Sequence, residues 1–300
     1  MRALITGADG FVGRHLANHL RVCGDEVAGV DRECDVTDPS SVLDKVREVR
    51  PDVIYHLAAL THVGESWGNP TEFVRVNVLG TRNVLEAAHQ AAPDASVLLV
   101  SSADVYGIVE PSELPLDETH RVVPVNPYSQ SKREAEMLVK RVARETGQRV
   151  LIARPFNHVG PGQSVQFVVP ALVNRLLEAR ESGADEIAVG DLSTRRDFSD
   201  VRDVVRAYRL LVEFGKSCEI YNVASGIDVS LVDIAADLVS QIAPDVRLRR
   251  DPSLIRPVEV PVMRGSFQKI HETTGWEPSI PLATSLSDVI ADLRTRRHEA

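Results

Sequence analysis

Short apolar runs alternate with amphipathic stretches through the first half of the chain. Residues 3–6 read as a buried strand closed by glycine, and from 10 to 22 Phe11, Val12, Leu16 and Leu20 fall at helical spacing. A strand over 26–31, a helix over 39–50 with proline at its start, and a strand over 53–57 follow. The alternation continues with a helix over 77–92, a strand over 96–101, a long helix over 127–146 and a strand over 150–153. Strands that alternate with helices join through right-handed crossovers into a parallel sheet covered on both faces. Such a sheet takes its ligands beyond the carboxyl ends of its strands. The second half is less regular: 201–214 reads as a helix, 220–223 as a short strand, and the proline-rich stretch from 226 onward as a smaller α+β unit. The expected division gives 1–154, with returning segments near 190–225, to the sheet, and 155–189 with 226–300 to the smaller unit.

Composition narrows the class. At about 150 residues per domain, 300 residues make two domains or one large one. A chain with 43% hydrophobic and 26% charged residues is globular rather than disordered. The net charge of −9, without a basic block, argues against a nucleic-acid partner, and any anionic ligand must be met by a few local cations. Cys23, Cys34 and Cys218 form no C-x-x-C pair and sit at no metal-like histidine spacing, so neither a disulfide framework nor a metal site is expected. No apolar run reaches the ~20 residues that span a bilayer. The first residues enter a strand without a signal-peptide core, so a cytoplasmic protein with no membrane partner is expected.

The chemistry begins at Gly7-Ala8-Asp9-Gly10-Phe11-Val12-Gly13, between the first strand and the first helix. Glycine allows a tight turn and close backbone approach, and the helix N-terminus offers free N–H groups to a pyrophosphate. Strand before and helix after are the context that this motif requires. Asp31 lies 18 residues beyond Gly13, where an acid accepts hydrogen bonds from the adenosine ribose. A carboxylate there favours NAD; Arg32 beside it suits a 2′-phosphate, so NADP stays open. The G-x-x-G-x-x-G spacing resembles the extended branch of the short-chain dehydrogenase/reductase superfamily. The resemblance implies a Rossmann-type doubly wound sheet with a C-terminal substrate-binding α+β domain. It places Gly7, Gly10, Phe11, Val12, Asp31 and Arg32 at the cofactor, Asp35 and Val36 at the adenine, and Leu57-Ala58-Ala59 at the cofactor-side turn. Asn77, opening Asn77-Val78-Leu79-Gly80-Thr81, and Pro155 complete the implied cofactor set.

Tyr128 and Lys132 stand four residues apart, on one face of a helix, and resemble the superfamily's Y-x-x-x-K. A free tyrosine, with a pKa near 10, is a poor acid–base group at neutral pH. A nearby ammonium and a positively charged nicotinamide favour the phenolate, so Tyr128 is expected to be acidified by Lys132 and to exchange a proton with the substrate oxygen. By the same resemblance Ser102, just past the strand at 96–101, is the third catalytic group. A 4,6-dehydratase needs two carboxyls next to this serine; Ala103 takes the place of the first and Asp104 that of the second, which disfavours elimination.

The segment Arg154-Pro155-Phe156-Asn157-His158-Val159-Gly160-Pro161-Gly162-Gln163 resembles R-x-F-N-H-x-G-P-G-Q of the sugar-nucleotide-modifying branch, closest to its GDP-6-deoxy-D-mannose reductases. Arg195-Arg196-Asp197-Phe198, Asp200-Val201-Arg202-Asp203, Tyr221-Asn222-Val223-Ala224-Ser225-Gly226, Arg256-Pro257-Val258-Glu259 and Thr274-Gly275-Trp276-Glu277-Pro278 extend the likeness over nearly the whole chain. It implies a nucleotide-diphosphate sugar, GDP-linked by preference, held by Ser102, Asp104, Asn157, Arg195, Arg196, Arg256 and Glu259. Arginine meets a diphosphate best, through bidentate hydrogen bonds. Arg202 is expected to pair instead with the neighbouring aspartates. His158 is open between the sugar and a structural bond, and His62 and Ser66 between the sugar pocket and a loop without a direct role. The leading reading is NAD(P)H-dependent reduction of a 4-keto-6-deoxy sugar nucleotide. A nucleotide-sugar 4-epimerase with retained NAD is the alternative, and a non-catalytic dinucleotide sensor a third reading. The resemblance also implies a homodimer built on the helices at 77–92 and 127–146.

Overall fold

The strands run in chain order β1 (Arg2–Thr6), β2 (Glu26–Val30), β3 (Val53–His56), β4 (Ser96–Val100), β5 (Val150–Pro155), β6 (Asn157–Val159), β7 (Glu186–Val189), β8 (Arg195–Asp200), β9 (Ile220–Val223), β10 (Asp228–Ser230), β11 (Arg247–Arg250) and β12 (Val262–Met263). The helices are α1 (Phe11–Val22), α2 (Pro39–Val49), α3 (Val63–Ser66), α4 (Pro70–Val74), α5 (Gly80–Ala91), α6 (Pro127–Thr146), α7 (Val168–Ser182), α8 (Val201–Phe214), α9 (Leu231–Ile242), α10 (Gln268–Thr274) and α11 (Leu282–Glu299). The computed structural model describes residues 1–254 and 260–299. Arg256 and Glu259, both expected at the substrate, lie outside the described residues.

Six strands form one parallel sheet in the order β2-β1-β3-β4-β5-β9. Successive residues of a buried strand feed opposite faces. Ile5, Tyr55 and Leu151 pack with Leu16, Leu20, Val204 and Tyr208 of α1 and α8. Their neighbours Leu4, Ile54 and Ile152 pack with Val42, Val84 and Val139 of α2, α5 and α6. The order reverses direction between β1 and β3, and a crevice opens there at the carboxyl ends. The doubly wound α/β architecture expected from the alternation is the one observed, with strand limits within a residue or two.

The remaining strands build a second body. β8 is flanked by β10 and β12 and also pairs with β6, while β7 pairs with β11. Leu176 of α7, Leu238 of α9 and Val289 of α11 share its core. Within 190–225, β8 therefore belongs by its pairing to the second body, whereas α8 and β9 return to the large sheet. The sequence reading resolves neither α3 and α4 nor α7, α9, α10 and α11. In α7 Pro170 stands in the first turn, where its missing N–H costs no helix bond.

Several of the motifs quoted above turn out to be clasps. Asp197, fully buried, accepts hydrogen bonds from Ser225 N (2.7 Å), Ser225 Oγ (2.6 Å), Gly226 N (3.0 Å) and Gly265 N (3.1 Å). Trp276 is fully buried and donates from Nε1 to the Asp203 carbonyl at 3.0 Å. The Asp203 carboxylate accepts from Ser279 and Ile280 N–H at 2.8 Å. No helix among the described residues is long and apolar enough to cross a membrane.

Candidate active site

A cleft of about 800 Å³ runs along the carboxyl ends of β1 to β5 and continues against the second body. Its floor at β1 is the glycine turn. Gly7 has φ +74°, and a Cβ there would lie 2.8 Å from Ala58 N; a Cβ on Gly13 would lie 2.1 Å from the Gly7 carbonyl oxygen. Strand, turn and helix thus touch backbone to backbone. Helix α1 is entered through Gly10 without a side-chain cap, and its first turn, Phe11-Val12-Gly13-Arg14, carries no acid. Free N–H groups and the positive end of the helix dipole are therefore turned to the cleft, an arrangement that fits a dinucleotide pyrophosphate.

Gly7, Gly10, Phe11, Val12, Asp31 and Arg32, the residues expected at the cofactor, line the cleft. So do Asp35, Val36, Leu57, Ala58, Ala59 and Pro155. Asp31 accepts from Asp9 N at 3.1 Å, and its own N–H donates to Glu33 at 3.0 Å, which brings a second carboxylate to this rim. The Asp35 carboxylate is occupied by Thr37, taking its N–H at 2.9 Å and its hydroxyl at 2.8 Å; these bonds hold it below the usual carboxylate range.

Asn77, also expected at the cofactor, is placed differently. It is buried behind the wall, outside the lining. Its amide accepts from Leu60 N (2.8 Å) and donates to Leu60 O (3.0 Å) and Ser131 Oγ (2.9 Å), so it fastens the turn after β3 to α6. The same turn is held by a chain of fixed direction. Thr81 Oγ1 donates to Asn77 O (2.7 Å) and so accepts from His56 Nε2 (3.0 Å); His56 Nδ1 then accepts from Thr6 Oγ1 (2.8 Å), which accepts from Ala58 N (3.3 Å). Burial brings His56 down to about 3, aided by the charge on Lys132, and keeps it neutral.

Ser102, Tyr128 and Lys132 meet on the opposite wall. Ser102 opens a 3-10 turn over Ala103–Tyr106 and accepts from Asp104 N at 3.2 Å. Asn126 caps α6, accepting from Ser129 N at 2.8 Å, and Pro127 fills the first helical position, so Tyr128 stands in the first turn with Lys132 one turn further. Phe73 packs edge-on against the Tyr128 ring, centroids 6.3 Å apart. Lys132 donates to the Val100 carbonyl at 2.9 Å. Burial lowers Lys132 to about 8, with Glu136 acting in the opposite direction. Burial also raises Tyr128 above its ordinary value; the Asp104 charge adds to the rise and the Ser102 hydroxyl opposes it. The Lys132 ammonium is turned to the backbone of β4, and the expected acidification of Tyr128 draws also on the positive charge of a bound nicotinamide.

Asp104, beside Ser102, lines the cleft, as do Asn157 and Arg196 on the second-body side, whereas Arg195 does not. The reason is the strand alternation of β8. Arg195 turns outward and holds Asp228 through Nε (2.5 Å) and the Asp228 carbonyl through Nη2 (2.9 Å). Arg202 pairs with Asp200 at 2.7 Å, as expected, and also with Asp288 at 2.7 Å. His62 lines the cleft; Ser66 is fully buried and donates to Val63 O. His158 also lines it, stacked on Phe11 with centroids 6.0 Å apart and donating from Nδ1 to Phe156 O at 3.1 Å. Burial holds His158 below its ordinary value. Sequence reasoning missed the apolar wall of Phe167, Val168, Phe198 and Met263, because it missed the helix and strands that carry these residues.

The parallel-sheet fold agrees with the comparison to known proteins. The profile of the NAD dependent epimerase/dehydratase family matches residues 3–224, and the chain belongs to that family. Among its relatives, GDP-6-deoxy-D-mannose reductase of Pseudomonas aeruginosa is 36% identical over 99% of this chain and 99% of its own length. GDP-6-deoxy-D-talose 4-dehydrogenase of Aggregatibacter actinomycetemcomitans is 33% identical over 92% of each chain. The solved structure of RMD from Pseudomonas aeruginosa complexed with NADPH superposes with a TM-score of 0.90 at 35% identity, covering 99% of this chain and 100% of that one. The UDP-glucose 4-epimerase of Thermotoga maritima, solved with UDP-glucose, gives 0.90 at 26% identity over 99% and 100%.

Proposed function

We propose that the protein reduces the C4 ketone of a 4-keto-6-deoxy sugar nucleotide, GDP-4-dehydro-6-deoxy-D-mannose, to GDP-D-rhamnose. The observation that carries this reading is the wall itself: Ser102, Tyr128 and Lys132 face the cleft together, with Asp104 present and the buried Ala103 where elimination needs a second carboxyl. A bound dihydronicotinamide supplies the hydride that C4 receives. Tyr128, held protonated by burial, donates its proton to O4 as the ketone becomes an alcohol, and solvent returns that proton afterwards. Ser102 donates a hydrogen bond to the same oxygen and fixes it within reach of the phenol. Lys132, fastened to Val100, keeps a positive charge beneath the site as negative charge develops on O4. Arg196 and Asn157 take the diphosphate, and Asp104 lies beside the sugar. In this reading the large sheet and its helices form the cofactor half and the second body the substrate half.

The likeness to the relative from Pseudomonas aeruginosa supports the GDP-linked substrate. The paired carboxylates of Asp31 and Glu33 support NAD over NADP, because both repel a 2′-phosphate. Exposed apolar side chains on the α5–α6 side, Leu79 and Met137, support a homodimer, which the molar mass in solution checks.

The test is direct. Purified protein given the keto sugar should oxidise one NADH or NADPH per sugar reduced. Interconversion of two sugar nucleotides without net use of added cofactor would show an epimerase instead.

A further inference from the structure

The carboxylate of Glu136 lies fully buried one helical turn beyond Lys132. Its Oε1 accepts from Ser101 Oγ at 2.6 Å and from Arg154 Nε at 2.7 Å. Its Oε2 accepts from Arg154 Nη2 at 2.7 Å and from Arg133 Nη1 at 3.3 Å. Arg154 is 1% exposed, and its guanidinium sits over the Tyr106 ring, 4.9 Å from the centroid. Tyr106 in turn donates to Asn222 at 2.8 Å. The chain of contacts ties α6, the end of β4, β5 and β9 together immediately behind the active wall. Each anchor adjoins a residue already placed there: Ser101 precedes Ser102, Arg154 precedes Pro155, and Lys132 lies one turn before Glu136.

A buried ion pair is a poor device for stability alone, since desolvating both charges offsets most of their attraction. A bidentate fork does fix geometry, and a buried carboxylate favours a cation near it. We propose that Glu136 is a positioning residue for the reduction, holding Ser102 in place through Ser101 and Arg154 and keeping Lys132 charged. The proposal rests on the reading of Tyr128 and Lys132 as the reacting wall. Around Lys132 the charged and titratable groups are Tyr128 and Glu136, one turn to either side on its own helix, and His56 on β3. His56 stays neutral and Tyr128 protonated over the working range, so Glu136 is the nearby group whose charge sustains the ammonium.

The experiment compares the pH profile of kcat/KM for keto-sugar reduction in the wild type, Glu136→Gln, Glu136→Asp and Tyr128→Phe, with melting curves and ADP-ribose affinity measured on each. Glu136→Gln should move the alkaline fall of activity to lower pH by about one unit or more. Glu136→Asp should bring it back toward the wild type, and ADP-ribose affinity should stay unchanged in both. If Glu136→Gln does not fold, the double substitution Glu136→Gln with Arg154→Met leaves no orphaned charge, and its alkaline fall should also lie below the wild-type position. A wild-type breakpoint with only a lowered melting temperature overturns the proposal. Retained turnover in Tyr128→Phe would instead overturn the reading of the site on which it rests.

Discussion

The ammonium of Lys132 is held 2.9 Å from the carbonyl oxygen of Val100, two residues before Ser102. This bond fixes the lysine below the sheet end and leaves it charged in a place that disfavours charge. Its value near 8 makes the charge conditional on pH. The ammonium prevails below about 8 and is lost above it, so kcat/KM should be level on the acid side of that point and fall with one proton's slope on the alkaline side. Stability runs with the opposite sense. The unfolded chain binds a proton at Lys132 up to about 10.4, so between that value and about 8 unfolding takes up protons and stability rises with pH. Lys132→Met should therefore raise the melting temperature at pH 7 while lowering kcat by on the order of 10²- to 10⁴-fold.

Arg195 and Arg196 are neighbours in sequence and face opposite ways in space. Arg196→Met should raise the KM for the sugar nucleotide on the order of tenfold or more, with kcat less affected, because the lost charge-assisted bonds hold bound substrate. Arg195→Met should leave KM unchanged and cost at most about 1 kcal/mol of stability, since its partner Asp228 is also met by Arg264 at 3.2 Å. Steady-state kinetics on both variants separate the two positions. Equal effects on KM would contradict the assignment.

In the proposed reading Asp31 favours NAD. Removing its carboxylate in Asp31→Ala should shift the ratio of kcat/KM for NADH over NADPH toward NADPH by about tenfold, equivalent to about 1.4 kcal/mol. Glu33→Gln should shift it in the same direction by less. A wild type that already prefers NADPH would remove the carboxylate argument, and Arg32 would become the residue to alter.

How much of this is legible in the chain depends on whether a property is local. The large sheet is legible because buried parallel strands such as Leu4-Ile5 and Ile54-Tyr55 read as apolar runs bounded by turns. Gly7, Gly13 and the Tyr128–Lys132 spacing are legible because turn geometry and helix periodicity are local. The outward turn of Arg195 follows from how β8 pairs with β10 and β12, which its sequence alone does not fix. The bonds of Asn77 depend on burial by distant segments, which no local pattern shows.

The central claim is that a carbohydrate C4 receives hydride while Tyr128 gives O4 its proton. Deuterium transfer tests it most directly: NADH or NADPH deuterated at nicotinamide C4 is oxidised with the keto sugar, and the product is read by NMR. The expected result is deuterium at C4 of the sugar with the wild type, and turnover lowered on the order of 10²- to 10⁴-fold with Tyr128→Phe. Deuterium at another carbon, or an undiminished rate in Tyr128→Phe, would contradict it.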